Sequence, residues 1–182
     1  MNSRLFSFLR FRPAGAVYWS AIRKSLMVLF LSCVLLGTLA GVSSPSAIAL
    51  DYNRESLVEA DFSNRDLTED SFTKANLRRS NLSHSNLRGV SFFGANLEDA
   101  NLEGADLTLA TLDSARLVHA NLSNANLSNA FAQNAQFGGA VITGADFTNV
   151  LLREDVQEKL CAIADGVNPV TGNNTRDTLD CY

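Results

Sequence analysis

The chain has 182 residues and a formal net charge of −4, because 19 Asp and Glu outnumber 15 Lys and Arg. That balance excludes the strongly basic surface with which proteins neutralise a nucleic acid backbone. The two His and three Cys do not stand at zinc-ligand spacing, and we expect no metal, cofactor or catalytic site.

The first predicted element is a secretory leader in residues 1–49. Five basic residues precede an uncharged run from Ser25 to Val42, and small residues two apart follow at Ala47 and Ala49. This order is typical of a signal peptide, so we expect cleavage after Ala49. The alternative is that the apolar run, just long enough to span a bilayer, stays as an anchor. In both cases the rest of the chain is exported.

Loss of the leader makes the protein more acidic. It removes five of the 15 basic residues and none of the 19 acidic ones, so residues 50–182 carry a net charge near −9. Such a surface suits a soluble exported domain. We expect neither nucleic acid nor, after cleavage, a membrane as its partner.

A five-residue period then runs without an insertion. Counting from Leu57 in steps of five to Leu152 gives 20 central positions, of which 19 hold Leu, Phe or Ile and one holds Ala132. Two residues before each centre, 13 of 20 positions are Ala, and the residue between is Asp or Asn in 11. One bulky and one small inward residue per repeat let the chain turn a corner, so four repeats close a square coil whose backbone pairs with stacked coils.

This pattern, seen in ANLEDANLEGADL at residues 95–107, resembles the pentapeptide-repeat family with its motif A-(D/N)-L-x-x. The resemblance covers residues 55–154. It implies an all-β fold, a right-handed quadrilateral parallel β-helix of about five coils, with the central residue and the one two before it facing inward. We therefore predict a β-helical domain over residues 50–154.

If each coil has 20 residues, outward side chains 20 apart lie above one another. One predicted column contains Glu59, Arg79, Asp99 and His119, and Arg78 lies under Glu98 beside it. These columns predict ion-pair ladders between neighbouring coils. A further column alternates Asp with Asn, at positions 66, 86, 106, 126 and 146, so that no two carboxylates are adjacent.

The first coil departs from the pattern. Its small inward position holds Glu55, Arg65 and Asp70. Inward charges are one way of protecting an open sheet edge, and we expect an ion pair between Arg65 and Asp70 there. The alternative is a polar mouth that could serve an enzyme.

After the repeat, residues 155–182 are predicted to form a capping helix and a tail. Leu152, Val156, Leu160 and Ile163 fall on one helical face, which predicts a helix over about 153–165 that ends before Gly166. Turns are expected at Asn168-Pro169 and Gly172-Asn173. Cys161 and Cys181 form an even pair in an exported domain, which favours a disulfide; two free thiols are the alternative in a reducing compartment.

The tail also resembles the C-terminal segment of exported pentapeptide-repeat proteins of the cyanobacterial and chloroplast thylakoid lumen. The matching residues are Cys161, Gly166, Asn168, Pro169, Thr171, Gly172, Thr175, Arg176 and Cys181. The resemblance implies a location in the thylakoid lumen or the periplasm. Only 24 residues precede the apolar run, which is too short for a plastid two-part transit peptide and favours a cyanobacterial source.

A candidate contact surface lies where the repeat is broken. At Phe131-Ala132 the large residue moves to an outward position, and Phe93, Leu109 and Leu151 fall on the same side. These four residues, the apolar strip, predict contact with an unknown protein partner or a second copy, or else with the chain's own tail. His84 and His119 fall at outward positions on different faces, so we expect no shared metal ion between them.

The sequence therefore favours a non-enzymatic, exported repeat protein that acts as a structural or protein-interaction scaffold. The alternative is an acidic DNA mimic that inhibits a topoisomerase, as some pentapeptide-repeat proteins do. Export would separate such a mimic from its target.

Overall fold

The structure, a computed structural model, describes residues 50–181. The predicted leader and its cleavage site lie outside the described residues. Between residues 50 and 181, no helix is both long enough and apolar enough to cross a membrane.

The described chain winds into a parallel β-helix. Isolated parallel bridges join residues 20 apart, from Asp51 with Ser71 to Phe131 with Leu151, and one bridge occurs every five residues. The predicted coil length and register are therefore confirmed. Each coil has four sides, which are numbered from the side that contains Leu57. The last central residue of the first side is Phe137, of the second Ile142, of the third Phe147 and of the fourth Leu152.

The interior is filled as the repeat requires. Leu97, Leu102 and Leu107 are fully buried, and each preceding Ala is at most 1% exposed. Tyr52, which lies below the first coil, stacks on Phe72 with ring centroids 4.9 Å apart. Burial of one large and one small apolar side chain per repeat is the main favourable contribution to this fold.

Most corners are hydrogen-bonded β-turns. In the repeat at Leu97, the Ala100 amide donates to the Leu97 carbonyl at 3.1 Å, and Asp99 between them has a φ of 57°. A positive φ at the third turn residue is the geometry of a type II turn.

The Asp or Asn before each centre supports the next corner. Asp106 Oδ1 accepts a hydrogen bond from the Thr108 amide at 3.0 Å, and Asn126 Oδ1 does the same for Ser128 at 3.0 Å. This side-chain capping explains why short carboxylates and amides recur at that position.

Two helices follow the repeat: α1, Glu154–Cys161, and α2, Thr175–Thr178. The predicted helix over 153–165 is therefore too long, because the chain leaves the helical path after Cys161. Ile163 is 50% exposed rather than packed. Beyond it, the Asp165 carbonyl accepts a hydrogen bond from the Gly144 amide at 2.8 Å, which a continued helix would not allow.

The C-terminal segment is attached to the β-helix by packing and by a covalent bond. Leu160, Ala164 and Leu179 are buried in the same apolar cluster as the central residues of the repeat. The predicted disulfide between Cys161 and Cys181 is present and joins the end of α1 to the end of the tail.

Candidate functional site

The apolar strip is exposed in the structure. Phe93, Leu109, Phe131 and Leu151 have exposed fractions of 40, 49, 47 and 56%. Phe131 and Leu151 are directly bridged, whereas Ser91 and Thr111 hold the equivalent positions in the two coils below. The apolar surface is therefore continuous around Phe131 and Leu151 and interrupted by polar residues toward Phe93.

The tail lies on other sides of the β-helix. Asn168 Nδ2 contacts the carbonyl oxygens of Asn124, Ala125 and Gly144 at 3.1, 3.2 and 2.9 Å. The Phe147 amide donates to Thr178 Oγ1 at 3.1 Å. These contacts are on the second and third sides, so the described tail does not bury the strip.

Asn168 fixes the tail although no sequence motif singled it out as an anchor. Its side chain is 1% exposed, and its Oδ1 accepts hydrogen bonds from the Val170 and Thr171 amides at 2.9 and 3.0 Å. One amide side chain thus closes the predicted Asn168-Pro169 turn and binds that turn to the β-helix. The clue in the sequence was Asn before Pro, which marks turns but not long-range partners.

Asp146 is a buried carboxylate under the tail. Its Oδ1 accepts hydrogen bonds from the Thr148 amide and hydroxyl at 2.8 and 2.6 Å, and Asn173 Nδ2 donates to its Oδ2 at 2.9 Å. Burial alone would raise the pKa of Asp146, but these hydrogen bonds together with one from Thr171 hold that pKa below its ordinary value.

The predicted charge columns form ion pairs between neighbouring coils, although Arg79 and Asp99 are not paired within residues 50–181. Arg79 pairs with Glu59 at 2.8 Å, and His119 Nδ1 lies 3.6 Å from Asp99 Oδ1. Glu98 Oε2 lies 3.8 Å from Arg78 Nε. All six side chains are on the outer surface, where each pair contributes at most about 1 kcal/mol to stability.

The first coil does not form the expected ion pair. Within residues 50–181, Arg65 and Asp70 are not paired: the Arg65 guanidinium lies 5.5 Å from the centre of the Phe62 ring, and Asp70 Oδ1 accepts a hydrogen bond from the Leu50 amide at 2.7 Å. Glu55 is exposed. Among residues 50–181 no complete coil lies below these side chains to enclose them, so solvation and local contacts replace the ion pair.

The histidines lie in separate columns, as expected from the repeat. A Cβ at Gly104 would lie 2.5 Å from His84 Nδ1, and one at Gly139 would lie 2.4 Å from His119 Cδ2. Each ring therefore covers the glycine one coil above. Among residues 50–181, no group of three or more His, Cys, Asp or Glu side chains is arranged to hold a metal ion.

Comparison with known proteins agrees with this architecture. A family model described as pentapeptide repeats matches residues 56–92, 91–129 and 120–154. The thylakoid lumenal 15 kDa protein 1 of Arabidopsis thaliana chloroplasts is 68% identical over 40 residues, which are 22% of this chain and 18% of that protein. The chain thus matches less than a fifth of the length of that relative.

Two solved structures are similar to the described fold. A pentapeptide repeat protein of the Arabidopsis thaliana thylakoid lumen is 44% identical, with a TM-score of 0.58 over 72% of this chain and 85% of that one. A pentapeptide repeat protein from Nostoc is 27% identical, with a TM-score of 0.49 over 71% of this chain and 94% of that one. Since the family model covers more than half of the chain, this protein belongs to the pentapeptide-repeat family.

Proposed function

We propose that this protein is a non-enzymatic scaffold of the thylakoid lumen, which binds a protein partner through outward faces of a rigid β-helix. The observation that carries the proposal is the bridged, exposed pair of Phe131 and Leu151. Large apolar side chains on a well-paired ladder are pre-organised for binding, because few backbone or side-chain motions are lost on association.

We further propose the number of coils, the cap and the processing of the leader. Five right-handed quadrilateral coils form the scaffold, α1 and the disulfide-closed tail cap its end, and the leader is removed after Ala49. The lumenal location is supported by the relatives from the Arabidopsis thaliana thylakoid lumen. A cyanobacterial source, and the periplasm as the other exported location, belong to the same proposal.

Fractionation of the native host tests the location. We expect the protein in the lumen fraction, and we expect Edman sequencing to begin at Leu50. Detection of the full-length chain in the cytosol would contradict the export that the scaffold proposal requires.

Affinity capture tests the contact surface. The exported protein, carrying Phe131→Ser and Leu151→Ser together, should lose partners that the unchanged protein retains from isolated lumen. Val141→Ser is the matched control, because Val141 is 48% exposed but belongs to the second side. Equal loss with the control variant would show that the strip is not the binding surface.

The DNA-mimic alternative is weakened by the pairing of the acidic residues. A DNA mimic needs an uninterrupted array of negative charge, whereas here Glu59, Glu98 and Asp106 each pair with an arginine. A supercoiling assay with a bacterial topoisomerase tests this alternative directly. Inhibition by residues 50–182 at stoichiometric concentration would favour the mimic over the scaffold.

A further inference from the structure

The β-helix has an unpaired sheet edge on its first side. The last segment of that side, residues 135–139, is fully bonded to the coil below: Gln136 N donates to Ala115 O at 3.0 Å, and Gln136 O and Gly138 O accept from Leu117 and His119 at 2.8 and 2.9 Å. On its upper edge, Ala135 O, Phe137 N and Gly139 N have no hydrogen-bond partner among residues 50–181.

On the second and third sides, the C-terminal segment forms hydrogen bonds with the upper edge of the sheet. On the second side, Gly144 N donates to the carbonyl of Asp165, and on the third side Phe147 N donates to Thr178 Oγ1. The C-terminal segment therefore pairs one amide on each of these two sides, while Ile142 N and Asn149 N have no hydrogen-bond partner among residues 50–181. On the first side it leaves the backbone unpaired, although such pairing is what normally protects a sheet edge.

A groove gives access to these groups. The edge and α1 enclose a cavity of about 430 Å³, which is lined mainly by apolar groups and includes Phe137, Val156, Leu160 and Ile163. Its one charged lining residue, Lys159, lies in α1. The volume is in the range of sites that enclose a ligand.

Two glycines occupy the outward positions beside the groove. The positions that hold Arg78-Arg79, Glu98-Asp99 and Val118-His119 in lower coils are occupied by Gly138-Gly139 at the open edge. A Cβ at Gly138 would have no atom within 4 Å, so space rather than packing lies beside it. Gly138 therefore leaves room for an approaching backbone, whereas the His119 ring covers the outer face of Gly139.

We propose that this groove binds an extended segment of a partner protein, which adds a parallel strand to the first side. The register is set by the coil below, where Gln136 and Gly138 satisfy the same three groups on residues 115, 117 and 119. A segment of three residues supplies the equivalent contacts: one N–H to Ala135 O, and two carbonyls to Phe137 N and Gly139 N.

The groove also defines the side chains of this segment. The middle residue points inward, toward Phe137 and Leu160, and is therefore large and apolar. A carboxylate beyond it shares Lys159 with Asp155, whose Oδ2 lies 3.6 Å from Lys159 Nζ. A second copy fits less well, because two copies related by a two-fold axis would pair this edge antiparallel and bring their Lys159 side chains together. The site is separate from the apolar strip, so either can fail without the other.

The test uses a blocked synthetic peptide of sequence GANLEDAN, copied from residues 94–101, in which the residues equivalent to Asn96, Leu97 and Glu98 supply the three contacts. The peptide is titrated into the ¹⁵N-labelled exported protein, in which the Cys161–Cys181 disulfide is intact. We expect saturable shifts and slowed hydrogen exchange at the Phe137 and Gly139 amides. N-methylation of the peptide at its first asparagine should weaken binding about tenfold, through loss of one hydrogen bond.

Variants of the protein complete the test. Ile163→Glu should weaken binding by a similar factor because it places a charge in the apolar wall, whereas Val170→Glu, at an 82% exposed position outside the groove, should not. The proposal is overturned if the peptide leaves both amides unchanged at millimolar concentration. It is also overturned if the N-methylated peptide binds equally well, or if both amides are already protected in a dimer without peptide.

Discussion

The corner residues show how strongly backbone geometry limits the outer surface. The residue two after the centre has a positive φ in most repeats, such as 60° at Glu59 and 58° at His119; the exceptions are Glu69, Asn134 and Glu154. No Val, Ile or Thr occurs at this position in any of the 20 repeats. A positive φ is costly for β-branched side chains, so their absence follows directly. The same absence was visible in the sequence and could have located the turns.

Leu109 is the exception that allows a stabilising change. It adopts a φ of 62° with a bulky side chain that is 49% exposed. We expect Leu109→Asn to raise the free energy of unfolding by about 0.5–1 kcal/mol, because Asn tolerates this conformation better. Urea denaturation measures the change, and Leu109→Val should lower the same quantity. Equal stability of the two variants would contradict the expectation.

Asp146 makes stability depend on pH. Its pKa is lower in the folded protein than its ordinary value of 3.8, so the unfolded chain binds a proton more readily as the pH falls. The stabilisation is present above that ordinary value and is lost as the pH falls through the folded value. Asp146→Asn should reduce the free energy of unfolding at pH 7 by about 1–3 kcal/mol and flatten its decline between pH 5 and pH 3.

Thermal unfolding across this pH range checks the prediction. The exposed Glu69, replaced by Gln, is the control, since Glu69 is far from the tail and has no buried partner. An unchanged acid dependence in Asp146→Asn would show that other carboxylates dominate.

At the scale of elements, the tail depends on one buried amide. Asn168→Ala removes the donor to Gly144 O and leaves buried carbonyls unpaired, at a cost of about 2–4 kcal/mol. The disulfide still holds the end of the chain, so local release rather than global unfolding is expected. Hydrogen exchange at the Gly144 and Phe147 amides should therefore accelerate, while exchange at Leu102 should not.

Gln133→Ala is the matched control for this change, because Gln133 is an exposed residue of the last turns of the repeat. If Asn168→Ala accelerated exchange at Leu102 as strongly as at Gly144, the tail would be part of the cooperative core instead of a separately opening element.

The repeat was predictable and the C-terminal segment only partly so, for a physical reason. The side chain of Leu102 is placed by contacts that recur in every coil, so local spacing determines it. The end of α1 instead depends on Asp165 pairing with Gly144, and Asn168 depends on carbonyls 24 to 44 residues away. Single partners at such distances leave no periodic signal. The ion pair predicted between Arg65 and Asp70 is not formed, because the described residues supply no complete coil below theirs.

At the scale of the whole domain, every parallel bridge joins residues 20 apart. Deletion of residues 97–116 removes one coil and keeps each later residue on its side, so the tail still meets its partners. We expect a folded, disulfide-bonded domain with a lower melting temperature, because one layer of core is lost. Deletion of residues 97–106 removes half a coil and also keeps the tail with its partners, which all lie after residue 116, but it places each later residue on the opposite side of the coils below. Thiol titration should find the disulfide intact in both variants, and thermal melting followed by circular dichroism measures the stability that each one loses.

Because the register is uninterrupted, the position of a residue in the chain determines both its side and its height along the β-helix axis. Each insertion or deletion of five residues rotates everything above it by a quarter turn, while twenty residues restore the alignment and add one strand spacing, about 4.8 Å. Length and orientation are therefore linked. Two surfaces at different heights, such as the Glu59 and Arg79 ion pair and the groove beside α1, keep their mutual angle only if the number of coils between them changes by whole turns.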